Sequence, residues 1–166
     1  MYWVGQEVTG AGEYWNDGFY GQGVDVALTD SGVAAVDGLS APGKVLHGPD
    51  LSFESQSEAF RFTDTFGHGT HMAGIITGRD TATPRPVQKG VENHFVGVAP
   101  EARVVSVKVA DSHGSFDVSQ VIAAIDWVVQ HRKDDGLNIR VLNLSFGTDS
   151  VQDYRLDPLA YAAEAA

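Results

Sequence analysis

The sequence predicts an α/β fold with a mainly parallel sheet, and two observations support that prediction. Residues 103–109 alternate as a strand, an apolar stripe at helical spacing follows, and residues 139–144 form another strand. Strand, helix and strand in this succession make a crossover unit, which places its two strands parallel. An earlier apolar run at residues 24–29, closed by Asp30, adds a further buried strand.

The N-terminal half supplies one strand and one helix between loops. The first 20 residues are rich in aromatic side chains and glycine, and we expect them to form an arm packed on a larger body. After the strand at 24–29, residues 37–65 are polar and contain Pro-Gly and Pro-Asp pairs, which predicts a loop with room for one short strand. A helix is predicted over residues 69–77, with His68 at its amino end.

The C-terminal half carries the clearest helix signals. Residues 78–94 contain two prolines and are interpreted as a surface excursion. Asp117 and Gln120 form a capping box for a helix that ends in cations and Gly136. Asp157 followed by proline begins a last helix. Because that helix stops at residue 166 with no following strand, we expect the chain to be part of a larger domain.

Composition excludes several classes of function. The 11 Lys+Arg and 22 Asp+Glu give a net charge of −11, which repels phosphate backbones and anionic lipid, so neither nucleic acid nor a membrane is expected as a partner. The absence of cysteine rules out disulfides, thiolate metal sites and a cysteine nucleophile. No stretch reaches the roughly 18 consecutive apolar residues of a membrane span, and the first residues do not match a signal peptide. The localisation stays open.

Two short motifs in a fixed order point to hydrolytic chemistry. They are Asp30-Ser31-Gly32 and Gly67-His68-Gly69-Thr70-His71-Met72-Ala73-Gly74. An imidazole titrates near neutrality and can take the proton of an attacking hydroxyl, while a carboxylate on its other nitrogen fixes the tautomer. We therefore predict His68 as a general base and Asp30 as its partner. The glycines on either side of His68 are expected to allow close backbone approach.

These motifs resemble those of the subtilisin-like serine proteases. Two further segments match in order, Gly97-Val98-Ala99-Pro100 and Leu142-Asn143-Leu144-Ser145-Phe146-Gly147, and the resemblance covers roughly residues 5–166. It implies a three-layer sandwich around a mainly parallel sheet, incomplete in this chain. It also implies hydrolysis of peptide bonds through an acyl-enzyme, with a triad in the order Asp, His, Ser.

The resemblance further implies how a polypeptide substrate binds. The family holds its substrate as an extended strand between two enzyme segments. By their match to the family's motifs, these segments are Gly114-Ser115-Phe116 and Ser145-Phe146-Gly147. Ser145 is therefore expected in substrate binding and not as the nucleophile, and Asn143 is not expected to be an oxyanion donor.

The family's serine motif, of the Gly-Thr-Ser-Met-Ala type, and its oxyanion asparagine are missing from the 166 residues. We therefore expect this polypeptide to be inactive alone, with the C-terminal part of the same domain as its partner. Calcium is a common ligand in the family and is left open here, but residues 79–93 lack the acidic spacing of an oxygen cage, so no clear calcium site and no other cofactor are predicted. Four carboxylates are predicted to be solvated surface charges: Asp37, Asp50, Asp64 and Asp80.

Two other functions remain as alternatives. The first is a metal-dependent hydrolase using His68, His71 and a carboxylate, although the spacing lacks the Glu of the His-Glu-x-x-His motif and His71 is interpreted as structural. The second is a non-catalytic domain that keeps the peptide groove and has lost the chemistry. A soluble chain that binds peptides without turnover would favour this second alternative.

Overall fold

The centre of the molecule is a four-stranded parallel sheet. The computed structural model describes residues 8–83, 94–148 and 152–166. The strands stand in the order β2-β3-β1-β4, and every neighbouring pair is parallel. Their bounds are β1 Asp25–Asp30, β2 Val45–Asp50, β3 Arg103–Lys108 and β4 Ile139–Leu144. The predicted α/β class with a parallel sheet is confirmed.

In residues 8–83, 94–148 and 152–166, four α-helices and two short 3₁₀ turns accompany the sheet. The helices are α1 Ala11–Asn16, α2 His68–Thr77, α3 Val118–His131 and α4 Pro158–Ala165. The 3₁₀ turns span Asp134–Gly136 and Tyr154–Leu156. Among the described residues, none of the helices has the length and apolar content needed to cross a bilayer.

The helices cover both faces of the sheet and so create three layers. Every residue of β1 is buried, and its side chains alternate between the two faces. Ala27 packs in one cluster with residues of α3, while Leu28 packs in another with Ala73 of α2. Residues of α4 pack against the α3 cluster. The predicted three-layer arrangement is confirmed, with α2 on one face and α3 and α4 on the other.

Helix α3 forms where its sequence pattern predicts it. The Asp117 carboxylate accepts a hydrogen bond from the Ser119 backbone, and the Gln120 side chain closes the reciprocal half of the capping box. Residues 121, 125 and 128 of the predicted apolar stripe are buried against the sheet. The cap and the stripe together fix where this helix begins and which face it turns inward.

Strand β2 is the one short strand for which the predicted loop at residues 37–65 left room. It is an edge strand, and its pairing register with β3 shifts between His47 and Asp50. The shift brackets Gly48 and Pro49, and proline has no N–H to donate to a neighbouring strand. The turn-forming sequence therefore interrupts this strand without abolishing it.

The described part of the predicted N-terminal arm, residues 8–20, packs on the body, although it contains a helix that the sequence analysis did not predict. Trp15 of α1 is 2% exposed, and its indole N–H donates to the carbonyl of Val98 at 3.0 Å. The predicted excursion at 78–94 lies largely outside the described residues, but Arg79 and Val96 near its ends form an isolated antiparallel bridge.

Candidate active site

Asp30 ends β1 at the carboxyl edge of the sheet. Because β1 lies between β3 and β4, its backbone is paired on both sides. The Asp30 side chain is only 5% exposed, and its Oδ1 accepts the backbone N–H of Ser31 at 2.8 Å. The carboxylate therefore has a fixed orientation in a nearly water-free position.

His68 begins α2 and turns its imidazole toward Asp30. Its Nδ1 lies 2.9 Å from both carboxylate oxygens of Asp30. A carboxylate can only accept, so Nδ1 carries the proton and Nε2 of the neutral ring is free to accept one. The His68 side chain is 41% exposed, in contrast to its partner. The structure thus brings the two predicted catalytic residues into direct contact, with the imidazole reachable from solvent.

The glycines beside His68 permit a close approach between α2 and the end of β1. Gly67 precedes the helix with φ of 103°, a left-handed conformation that glycine adopts without strain. A Cβ at Gly69 would collide with the carbonyl oxygen of Gly32 and lie 3.2 Å from the Asp30 side chain. No side chain fits between the two motifs at this position, so the glycine at 69 sets how closely His68 and Asp30 can approach.

Asp64 connects the motif that contains Ser31 with the motif that contains His68, at the start of α2. Its Oδ1 accepts the hydroxyl of Ser31 at 2.8 Å and the backbone N–H of Gly67 at 2.6 Å. Its Oδ2 accepts the backbone N–H of Thr70 at 2.7 Å and the Thr70 hydroxyl at 2.5 Å. Burial raises the pKa of Asp64, but the hydrogen bonds from Thr70, Gly67 and Ser31 outweigh it and hold the pKa below its usual value. Asp64 therefore caps α2 as an anion and ties it to β1.

Ser31 completes this connection. Its hydroxyl donates to Asp64 and accepts the backbone N–H of Gly69 at 2.9 Å, and the residue is 1% exposed. One serine thus contacts the carboxylate that caps α2 and the helix backbone next to His68. Three parts of the chain therefore hold Asp30 and His68 together: the end of β1 with Ser31, the segment with Asp64, and the first turn of α2.

The prediction of four solvated surface carboxylates is wrong for three of them. Asp37 is exposed, as predicted. Asp50 accepts the backbone N–H groups of Ser52 and Phe62, both at 2.9 Å, and Asp80 accepts that of Phe95 at 2.8 Å. Asp64 accepts the hydrogen bonds from Ser31, Gly67 and Thr70 described above. These carboxylates organise loops that join distant positions of the chain, which composition and local spacing do not reveal.

A cavity of about 190 Å³ opens beside His68. It is lined by Asp30 and His68 together with four of the predicted substrate-binding residues, Gly114, Phe116, Ser145 and Phe146. The rings of Phe116 and Phe146 lie 4.9 Å apart, which gives the cavity an apolar, aromatic part. Ser115 and Gly147, the other two predicted substrate-binding residues, are exposed and do not line it.

Phe66 is a cavity residue that the sequence analysis missed. Its ring packs so closely on Gly114 that a Cβ there would lie 2.8 Å from the nearest ring carbon. The segment before His68 and the segment containing Gly114 therefore touch across the cavity. The only signal in the sequence was an aromatic residue two positions before His68.

The serines at the cavity are engaged elsewhere. Ser31 is held by Asp64 and Gly69, and the hydroxyl of Ser145 accepts the side-chain amide of Asn143 at 2.5 Å. In the described part of the chain, no serine hydroxyl hydrogen-bonds to His68.

The metal-dependent alternative gains no support from the described residues. It requires His68, His71 and a carboxylate to converge, and no group of three potential ligands in residues 8–83, 94–148 and 152–166 could hold an ion. His71 is an exposed residue of α2. Calcium takes six to eight oxygen ligands, and the described residues bring no three acidic side chains together to supply them.

A buried carboxylate that orients an exposed imidazole, at the carboxyl edge of a parallel sheet and beside a groove, is the arrangement of hydrolases that activate a hydroxyl nucleophile. The chain belongs to the subtilase family. The sequence model of that family matches residues 21–165, which include both motifs.

Curated relatives agree with this assignment. The chain is 32% identical over 136 residues to the minor extracellular protease Epr of Bacillus subtilis, covering 82% of this chain and 17% of that protein. It is 33% identical over 135 residues to a thermostable alkaline protease of Halalkalibacterium halodurans, covering 81% of this chain and 31% of that protein. Serine protease AprX of Bacillus subtilis is 32% identical over 149 residues, with coverage of 88% and 30%.

A solved structure is similar to the chain in fold. The crystal structure of a cold adapted subtilisin-like serine proteinase matches with a TM-score of 0.60 and 28% identity. The match covers 89% of this chain and 43% of that one. The chain therefore spans less than half of the similar structure and about a third or less of these curated relatives.

Proposed function

We propose that this chain is the Asp- and His-bearing N-terminal portion of the catalytic domain of a subtilisin-type serine endopeptidase. The observation that carries the proposal is the hydrogen bond between Nδ1 of His68 and the buried carboxylate of Asp30, 2.9 Å long. Membership of the subtilase family supplies the reaction class, peptide-bond hydrolysis with a serine nucleophile.

In this proposal His68 is the general base and Asp30 orients it. With Nδ1 bonded to Asp30, Nε2 accepts the proton of the attacking hydroxyl and later returns it to the leaving amine. The imidazole becomes a cation during that transfer, and the adjacent carboxylate stabilises the positive charge. The low exposure of Asp30 strengthens this interaction because little water screens it.

The groove is proposed to bind a polypeptide substrate in extended form. Gly114-Ser115-Phe116 and Ser145-Phe146-Gly147 would offer backbone groups to the peptide, as in strand addition. The aromatic part of the cavity, formed by Phe116 and Phe146, favours an apolar side chain of the substrate. The net charge of −11 disfavours nucleic acid and anionic membranes as partners.

The nucleophile is proposed to come from the C-terminal part of the same domain. The 166 residues contain no serine motif of the family type, and the serines at the cavity are hydrogen-bonded elsewhere. The 166-residue polypeptide alone is therefore proposed to be inactive.

A fluorophosphonate probe tests this proposal because it labels only an activated serine. The 166-residue chain should remain unlabelled, while an active protein that contains this chain and its nucleophile should be labelled. Replacing His68 by alanine in the active protein should abolish the label, and the matched His71→Ala variant should keep it. Labelling of the isolated chain, or equal labelling of both variants, contradicts the assignment.

A non-catalytic peptide-binding domain is the second candidate, favoured by one observation: the groove is formed in a chain that lacks the nucleophile. The exposure of α4 argues for the first candidate, because none of the residues of this helix, which is described throughout, is buried. Saturable binding of an extended peptide by a stable monomer would favour the second candidate.

A further inference from the structure

An ion pair between the buried Lys108 and the largely buried Glu54 has no part in the chemistry described so far, although Val109 and Ala110, which follow Lys108 in sequence, line the cavity. Lys108, the last residue of β3, is 1% exposed, and its ammonium lies 2.7 Å from Oε2 of Glu54. Lys108 stands opposite Asp30 in the register of β1 and β3. The pair is therefore next to the end of the strand that holds the Asp30 carboxylate.

The Lys108 ammonium fixes the loop that leads to His68. We call residues 51–67 the histidine loop. Besides Glu54, the ammonium donates to the carbonyl of Thr63 at 2.7 Å and to that of Phe60 at 3.1 Å. The ammonium also donates to the Thr65 hydroxyl at 3.4 Å, so a lysine of the sheet contacts four positions of a loop that has no strand or helix of its own.

Glu54 joins the histidine loop to the segment on the other side of the cavity. Its Oε2 accepts the hydroxyl of Thr65, three residues before His68, at 2.7 Å. Its Oε1 accepts the backbone N–H of Ser112, two residues before Gly114, at 2.9 Å. One carboxylate therefore holds both segments whose tips, Phe66 and Gly114, touch across the cavity.

Stability alone does not account for such a pair. Desolvation opposes the burial of an ammonium and a carboxylate, and apolar or neutral replacements of buried ion pairs are often no less stable. The two charges supply an ion pair and hydrogen bonds of fixed direction. These connect the end of β3 to the histidine loop and to the segment around Gly114. A neutral pair of similar volume would fill the space without reproducing those directions.

We infer that Glu54 and Lys108 are positioning residues that set the spacing between the histidine loop and the segment around Gly114. The catalytic consequence of this inference rests on the proposed function, because that spacing is the width of the groove beside His68. The spacing itself is a property of the fold and can be measured without turnover.

The test is nuclear magnetic resonance, with labelled phenylalanine, glycine and histidine, on a protein that contains this chain together with the rest of its catalytic domain. The same measurement is made on its variant Glu54→Gln/Lys108→Met, which removes both charges and leaves no buried ion unpaired. The matched control is Asp25→Asn/Arg103→Met, which removes the ion pair at the opposite end of β1 and β3, where Arg103 Nε lies 2.6 Å from Asp25. The first readout is the nuclear Overhauser contact between the Phe66 ring and the Gly114 α-protons. The second is the Nδ1 proton resonance of His68.

The wild type and the control should show a strong contact between Phe66 and Gly114, and the Glu54→Gln/Lys108→Met variant should lose most of it while remaining folded. The single variant Glu54→Gln should weaken it in the same direction. A contact of wild-type intensity in both Glu54 variants overturns the inference, as does its loss in the control. If the wild type keeps this contact but shows no hydrogen-bonded His68 proton, the proposed function fails and the positioning inference does not.

Discussion

The carboxylate of Asp30 determines which ring nitrogen of His68 carries the proton. Both carboxylate oxygens lie 2.9 Å from Nδ1, so the tautomer with a free Nε2 is the one that the structure stabilises. An asparagine at position 30 could also donate through its amide, which would allow the opposite tautomer.

For Asp30→Asn in an active protein that contains this chain, we expect kcat to fall by about 10⁴-fold with little change in KM. That magnitude is taken from triad serine proteases in which the aspartate was replaced. The matched control is Asp37→Asn, since Asp37 is exposed. Steady-state kinetics on a peptide substrate measure kcat and KM of the two variants. A decrease in kcat of less than tenfold for Asp30→Asn would argue against the assignment of Asp30.

Activity should also fall on acidification. A protonated imidazole has no lone pair for the proton of the attacking hydroxyl, so kcat/KM should decrease in acidic solution. The measurement is the pH dependence of kcat/KM between about pH 5 and about pH 9. A flat profile over that range would exclude His68 as the base.

The pKa of Glu54 predicts that the stability of the fold depends on pH. Burial raises its pKa, but hydrogen bonds from Lys108, Thr65 and Ser112 outweigh it and lower the pKa from 4.5 to about 2. Because the folded pKa is below the unfolded one, the carboxylate stabilises the fold above pH 4.5, and this contribution is lost as the pH falls toward about 2.

Urea unfolding of the wild type and Glu54→Gln tests this prediction. Above pH 5 the variant should be less stable by about 3 kcal/mol, because the buried Lys108 ammonium loses its partner. The difference should shrink steadily between pH 4.5 and about 2, where the wild-type carboxylate becomes protonated. A difference that is independent of pH would show that the Glu54 charge does not contribute.

Helix α2 and strand β1 approach each other at a position where only a glycine fits. For Gly69→Ala we expect a loss of about 2 kcal/mol, because the new methyl group collides with the Gly32 carbonyl and forces the two motifs apart. The control is Gly74→Ala in the same helix, where a Cβ would meet the Phe95 ring at 3.4 Å. That change should be neutral or stabilising because alanine favours the helix. Thermal unfolding distinguishes the two, and equal destabilisation would contradict the prediction.

Elements with a local signal were predictable from the sequence, and those that depend on distant contacts were not. The β1, β3 and β4 strands and α3 follow from apolar patterning and a capping box, which are read within one segment. For residues 37–65 the sequence allowed one short strand but not its position, because Gly48 and Pro49 of β2 indicate a turn and the strand forms where β3 offers it a pairing edge. In β2 the pairing with β3 therefore outweighs the turn propensity of the Gly-Pro pair.

The candidate site follows the same rule. Asp30 and His68 stand in short motifs and were predicted, together with four of the other eight residues that line the cavity. Asp64, Glu54 and Lys108 were missed, because the function of each depends on partners from other segments. Charge type alone cannot separate a carboxylate that organises a loop from one on the surface.

The molecule as a whole presents an apolar surface on its α4 side. A groove of about 310 Å³ runs between α3 and α4 and is lined by residues that include Ile122, Val129 and Tyr161. Tyr161 is 74% exposed and Leu156 is 77% exposed. Exposed patches of this kind favour association.

We expect the isolated 166-residue chain to self-associate at micromolar concentration and Tyr161→Lys to reduce this association. The control is Tyr14→Lys, which replaces a tyrosine that is 65% exposed in α1. Gel filtration with light scattering measures the mass of each. A wild-type chain that is monomeric with a cooperative melt would instead support the independent peptide-binding domain.

The central place of β1 in the sheet has a consequence for the order of events on the ribosome. The strand that carries Asp30 is made early, but both strands that flank it, β3 and β4, lie far downstream in the chain. The nascent polypeptide must therefore wait until residue 144 has emerged before that strand has both neighbours. Contacts so distant in sequence form slowly. Until that point a newly made chain holds Asp30 on a strand that the sheet does not yet flank on both sides, so its pairing with His68 is not yet fixed in place.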